Sequence, residues 1–259
     1  MYKTLLVPVD GSQLAEKTLP YAGELAGRLD LEVLVFHVCD RSHEDLVGMH
    51  QIYVEHVAEG VQQRAREIQR ETGGLSTSRP AEVREEVAMG HPAEEILCYA
   101  EENAVDLIMM STHGRSGIMR WRMGSVADKV LRGSKVPVWL VRAGVSEENV
   151  PQVWPNQRIL VPLDGSDLAE TVLPHVQALA NQRGIETMQV VLLTIVEPPA
   201  ILTVYPVEGP LISYETIATI QEEAEEASKR YLANVQKQLE AVGISVSSEV
   251  LVGRPADKI

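Results

Sequence analysis

The sequence predicts an α/β protein of two similar doubly wound domains. Each has an open parallel five-stranded sheet in the order 3-2-1-4-5, the second incomplete at its C-terminus. Three observations predict it. Short, uniformly apolar runs alternate with stretches of helical periodicity, and strands apolar on both faces belong in a parallel sheet covered by helices. The chain also repeats itself: "KTLLVPVDGSQLAEKTLP" (3–20) returns as "QRILVPLDGSDLAETVLP" (157–174), and "GHPAEEI" (90–96) as "GRPADKI" (253–259). Finally, "STHGRSGIMRWRMGSV" (111–126), rich in glycine and arginine, follows an apolar run and precedes a helix.

Taken in order, "TLLVPV" (4–9) reads as a buried strand and "DGS" (10–12) as a turn, with Ser12 placed to cap the helix after it. Ala15, Leu19, Ala22, Ala26 and Leu29 recur at a spacing of three to four, which predicts that helix. "EVLVFHV" (32–38) is a second strand, a long polar-rich helix covers roughly 48–72, and "EVREEVAM" (82–89) is a third strand. Pro92 with Glu94 and Glu95 opens a helix, since proline and acids suit a first turn. "VDLIMMS" (105–111) is strand four, "SVADKVLRG" (125–133) a short helix and "VPVWLVR" (136–142) strand five. The first domain is expected over 1–143 and the second over 157–259, joined by "AGVSEENVPQVWPN". The second copy carries no match to 97–142, so it lacks the glycine-rich loop.

The bulk numbers narrow the function. Of 259 residues 45% are hydrophobic, enough for a sizeable core or two smaller ones. A net charge of −14 argues against general binding to nucleic acid or anionic membranes. No apolar stretch reaches the ~18 residues that span a bilayer. The apolar run in "MYKTLLVPVD" is short for a signal peptide, so a cytoplasmic protein is expected. Cys39 and Cys98 have no metal-type or disulfide spacing and are expected to be buried small hydrophobes. "HEDLVGMH" (43–50) has Val47 where the second histidine of H-E-x-x-H belongs, so no metal site is read there.

The loop is where the charge inverts. Residues 113–142 hold seven arginines and lysines and one acid, Asp128, for a net of +6, leaving −20 for the remainder. In an open parallel sheet ligands bind beyond the carboxyl ends of the strands, where the order reverses. With the order 3-2-1-4-5 strands one and four are neighbours, so Asp10 and the loop face each other across that crevice. Gly114, Gly117 and Gly124 let backbone amides approach an anion. Gly124-Ser125 stands at a helix N-terminus, where amides and the dipole favour phosphate, and Arg115, Arg120 and Arg122 raise the potential. Asp10, being acidic, suits a ribose hydroxyl or a phosphate-bound Mg²⁺.

These residues resemble the universal stress protein family in its tandem form. Its ATP-binding members carry Gly-x2-Gly-x9-Gly-Ser/Thr after strand four; here the run is Ser111-Thr-His-Gly114, nine residues, then Gly124-Ser125, with Ser111 in place of the first glycine. The resemblance implies ATP with Mg²⁺ as ligand and a role in stress response or signalling. It implies contacts from Pro8, Val9 and Asp10, from Val38 near adenine, from Met110, Ser111, His113 and Gly114, and from Gly124, Ser125 and Val126 around phosphate. In the second copy only Pro162, Leu163, Asp164 and Ile195 have counterparts, so ATP is expected mainly in the first domain. It further implies pairing through strand five, an apolar sheet edge, and hence a homodimer. No catalytic constellation is evident: there is no P-loop lysine, nucleophile elbow or second carboxylate spaced to activate water. The competing readings are a slow nucleotide hydrolase or transferase of related fold, and a protein–protein module with a vestigial site.

Overall fold

A computed structural model describes residues 2–40, 46–71, 81–113, 123–142, 157–183, 188–198 and 214–259. The chain divides into two compact units, Met1–Gln152 and Val153–Ile259.

In the first unit β1 (Thr4–Val9), β2 (Glu32–Cys39), β3 (Val83–Met89), β4 (Leu107–Ser111) and β5 (Val138–Val141) form one all-parallel sheet in the order β3-β2-β1-β4-β5. The predicted order therefore holds, and β1 is central. Alternation along the strands makes two cores. Leu6, Leu34, Phe36, Ile108 and Met110 pack with Ala93, Ile96 and Ala100 of α4 (Pro92–Glu102) and with Ala127 and Val130 of α5 (Ser125–Gly133). Leu5, Val7, Val33 and Val35, each fully buried, alternate to the opposite face, which α2 (Leu19–Leu29) and α3 (Val47–Glu71) cover.

Two expectations are corrected here. The first helix is broken into α1 (Gln13–Glu16) and α2, because Pro20 in the first turn of α2 lacks the amide that would continue the ladder. Cys98, expected inside, is exposed: α4 turns Ala93, Ile96 and Ala100 to the core, which leaves position 98 on the outer face.

α2 and α3 are held together by charge as well as apolar contact. Glu24, with no exposure, accepts from Arg28 Nε at 2.9 Å and from Arg64 Nη2 at 2.7 Å. A buried carboxylate needs such partners, because an isolated charge is expensive to desolvate. The two helices come close enough at Gly27 that a Cβ there would lie 2.7 Å from the Ala65 carbonyl oxygen.

The second unit repeats the beginning of the first. β6 (Gln157–Pro162), β7 (Met188–Val196) and β8 (Ser245–Val252) are parallel in the order β6-β7-β8. Alongside them lie α6 (Asp167–Glu170), α7 (Leu173–Arg183), α8 (Tyr214–Glu240) and α9 (Pro255–Lys258). Val161, Leu173, Val190, Leu192, Leu232 and Leu239 are among its core residues. The repeat extends to turn chemistry. Gly11 and Gly165 have φ of 77° and 82°, where a side chain would be strained, and each precedes a serine that caps a short helix. The differences are equally local: Leu6 is fully buried between β2 and β4, whereas its counterpart Leu160 on the edge strand β6 is 44% exposed. Burial, and then the neighbouring Glu170 carboxylate, push the Tyr231 hydroxyl up to about 12.

Candidate functional site

The carboxyl ends of β1, β2 and β4 and the start of α5 surround a cavity of about 620 Å³. That lies within the ~300–1,000 Å³ typical of small-molecule sites. It forms where the sheet order switches sides around β1, since β1 continues towards β2 on one flank and β4 on the other.

On the β1 side are Pro8, Val9 and Asp10. Asp10 Oδ1 accepts from the Ser12 amide at 3.0 Å and the Ser12 hydroxyl at 2.6 Å. The same Ser12 oxygen accepts from the Ala15 amide at 3.2 Å, capping α1. The turn thus fixes the Asp10 carboxylate at the cavity rim. Asp164 reproduces the arrangement, accepting from the Ser166 amide at 2.9 Å, and these Ser166 contacts hold its carboxyl below the usual range.

On the β4 side are Met110, Ser111, Thr112 and His113. Ser111 stands where the family pattern has its first glycine, and its hydroxyl is used locally: it donates to the His113 carbonyl at 2.7 Å and accepts from the His113 amide at 3.3 Å. The Thr112 carbonyl accepts from the Gly124 amide at 2.8 Å, so the two ends of the glycine-rich segment are pinned together. The Thr112 amide in turn donates to the Val141 carbonyl of β5 at 3.0 Å. Gly124 is the N-cap of α5 and has no side chain to cap it, which leaves first-turn amides at the cavity wall formed by Ser125, Val126 and Ala127. His113 is hydrogen-bonded through Nδ1 to the Thr112 hydroxyl at 3.1 Å, and its buried Nε2 has no hydrogen-bond partner among the described residues.

Every described residue among the expected contacts therefore lines this one cavity: Pro8, Val9, Asp10 and Val38, with Met110, Ser111, His113, Gly124, Ser125 and Val126. Gly114, Arg115 and Gly117, with Arg120 and Arg122, lie outside the described residues. Sequence reasoning missed His37, Cys39 and His50, which line the β2 side. His37 Nδ1 donates to the Val9 carbonyl at 2.8 Å. The ring of Tyr53 meets His37 edge-on at 5.9 Å, while the Tyr53 hydroxyl donates to Glu16 Oε1 at 3.0 Å. Burial, reinforced by Glu16, raises the Tyr53 hydroxyl above its ordinary value. The sequence signal for this cluster is an H-x-C pair on one face of a strand, a spacing of two that differs from the i, i+4 spacing of helical metal ligands.

Among the described residues no helix is long and apolar enough to cross a membrane. The pattern of the Universal stress protein family matches residues 1–142 and again 155–259. Universal stress protein MJ0531 of Methanocaldococcus jannaschii is 30% identical over 143 residues, 55% of this chain and 83% of that protein. Universal stress protein YxiE of Bacillus subtilis is 29% identical over 148 residues, 55% of this chain and the whole of that protein. A crystal structure of a universal stress protein from Archaeoglobus fulgidus covers 99% of this chain, with 79% of its own length matched, at 20% identity and a TM-score of 0.62. With the repeat, the sheet order and two matches to one pattern together, the chain belongs to the universal stress protein family, in tandem form.

Proposed function

We propose that the first unit binds ATP with Mg²⁺ in the sheet-end cavity and acts as a nucleotide-responsive module in stress response or signalling. One observation carries the reading: residues from three strand ends and a helix N-terminus converge on one cavity, into whose lining His113 brings a buried ring nitrogen with no partner among the described residues. Such an atom awaits a polar ligand, since leaving it unsatisfied costs about 1–3 kcal/mol. The chemistry of the lining suits the nucleotide. Pro8, Val9 and Val38 provide apolar wall for a base, Asp10 an acceptor for ribose hydroxyls or Mg²⁺, and the Ser125 and Val126 amides donors for phosphate. At Gly124 a Cβ would stand 3.3 Å from the Thr112 carbonyl oxygen, a tight contact that the bare backbone avoids. Magnesium would neutralise phosphate charge; the protein's own part is to hold and orient the chain of phosphates.

Isothermal calorimetry tests this. Two or more charge-assisted phosphate contacts, at ~1.5–3 kcal/mol each, make ATP·Mg²⁺ bind at least ~100-fold more tightly than adenosine. Equal affinities would remove the phosphate cradle from the reading. ATP turnover well above that of Asp10→Ala would move the protein among the hydrolases.

Assembly follows from the sheet. β5 is an edge strand whose Val138, Trp139 and Leu140 are half-buried within the unit, and edges with apolar residues recruit partners. A twofold dimer through β5 fits that surface. Light scattering is expected to give about twice the monomer mass, lowered by Val138→Lys. A monomer at high concentration would remove the dimer from the reading.

A further inference from the structure

The β2 side of the cavity has chemistry that nucleotide binding does not use. His37 and Cys39 are two apart on β2, so they point to one face of the sheet, the face covered by α3. Both are 2% exposed. One turn into α3, His50 comes over them, its ring stacked on that of His37 at 4.6 Å between centroids. One ligand atom from each of the three residues lies within 4.8 Å of the other two. Around a tetrahedral Zn²⁺, bond lengths of ~2.0–2.3 Å place ligand atoms about 3.3–3.8 Å apart, so closure draws the three atoms in by about an ångström and turns one ring out of the stack, because a metal lies in the plane of each imidazole that binds it.

The tautomer is already set. The Val9 carbonyl can only accept, so His37 Nδ1 carries the proton of the neutral ring and Nε2 the lone pair. A backbone carbonyl holding the second nitrogen is the usual support of a metal-bound histidine. Two imidazoles and a thiol are borderline-to-soft donors, which select zinc-like ions over magnesium. Asp40, the residue after Cys39, lines the same cavity and favours a cation there.

We propose that His37, Cys39 and His50 form a zinc-class transition-metal site, with its fourth position available to water or a ligand in the cavity. Binding converts the Cys39 thiol to a thiolate and releases one proton to solvent. Its donors come from β2 and α3, whereas the phosphate donors come from α5 on the far side of β1, and the inference does not rest on ATP binding.

The test is cobalt substitution of chelator-treated, nucleotide-free full-length protein. Co²⁺ is expected to bind at one equivalent with a thiolate-to-cobalt charge-transfer band in the near ultraviolet, and Zn²⁺ to displace it. Cys39→Ser, close in size, removes the band, while Cys98→Ser leaves it intact. His50→Ala weakens Zn²⁺ at least ~100-fold, since even loss of a supporting contact costs 10–100-fold. Melting curves show whether each variant is folded, and Zn²⁺ raises the melting temperature of the wild type but not of His50→Ala. Absence of the band in the folded wild type, or its persistence in Cys39→Ser, overturns the site and leaves the His37–His50 pair as an aromatic stack alone.

Discussion

Gly124→Val is expected to lower ATP affinity by at least ~100-fold while leaving the melting temperature of the first unit nearly unchanged. The backbone itself tolerates the change, since φ −61° and ψ 149° are open to any residue. What fails is access. The new Cβ would stand 3.3 Å from the Thr112 carbonyl oxygen, which needs a few tenths of an ångström of give, and in ordinary contact at 3.6 Å from His113 Cα. The γ-methyl groups then cover the first amides of α5, where phosphate would bind. Loss of two charge-assisted hydrogen bonds at ~1.5–3 kcal/mol each accounts for the factor. The fold is spared because position 124 lies at the wall of an open cavity, outside either core. Calorimetry beside a thermal melt measures both; affinity within about threefold of wild type would place the phosphates elsewhere.

Gly27→Leu has the largest expected effect on stability, and Gly60→Leu the opposite sign. Both glycines lie inside helices, and in a helix interior leucine is better than glycine by roughly 0.5–1 kcal/mol. At Gly60 nothing lies within 4 Å of a new Cβ, so that gain is realised. At Gly27 the Cβ would meet the Ala65 carbonyl oxygen at 2.7 Å and Ile68 Cβ at 2.8 Å, forcing α2 away from α3. Overpacking of this kind costs ~1–3 kcal/mol and occasionally more, and the shift also stretches the contact of Arg64 with the buried Glu24. Denaturant unfolding is expected to show a loss of about 3 kcal/mol for Gly27→Leu and a small gain for Gly60→Leu. A neutral result at Gly27 would mean that the helices separate without penalty.

The sequence was most informative where one physical signal dominated. Five apolar runs with helices between them specify a parallel sheet, and the order β3-β2-β1-β4-β5 agrees with that expectation. Boundaries blurred where signals competed: periodicity carried a single helix across Thr18, but Pro20 divides it. Hydrophobicity alone places Cys98 inside, but helix phase decides: Ile96 and Ala100 take the inner face and leave 98 outside. The glycine-rich loop was legible because its elements are contiguous in sequence. The His37–Cys39–His50 cluster was not, because it depends on which face of β2 meets α3, and only the packed structure decides that. Its one visible clue, "HEDLVGMH", invited comparison with a two-histidine helix, whereas the partners of His50 lie upstream on a strand.

The bond from the Gly124 amide to the Thr112 carbonyl has a consequence for how such chains diversify. It joins the two ends of the segment beyond strand four through backbone atoms, whatever side chains stand at positions 112 and 124. Once a stem is closed, doubling the enclosed length costs only about 0.6 kcal/mol of entropy. Insertions or deletions between positions 112 and 124 then carry little entropic cost. Variation in ligand chemistry is thereby uncoupled from the stability of the scaffold, and one fold can be re-addressed to new small molecules by edits confined to a single stretch of chain.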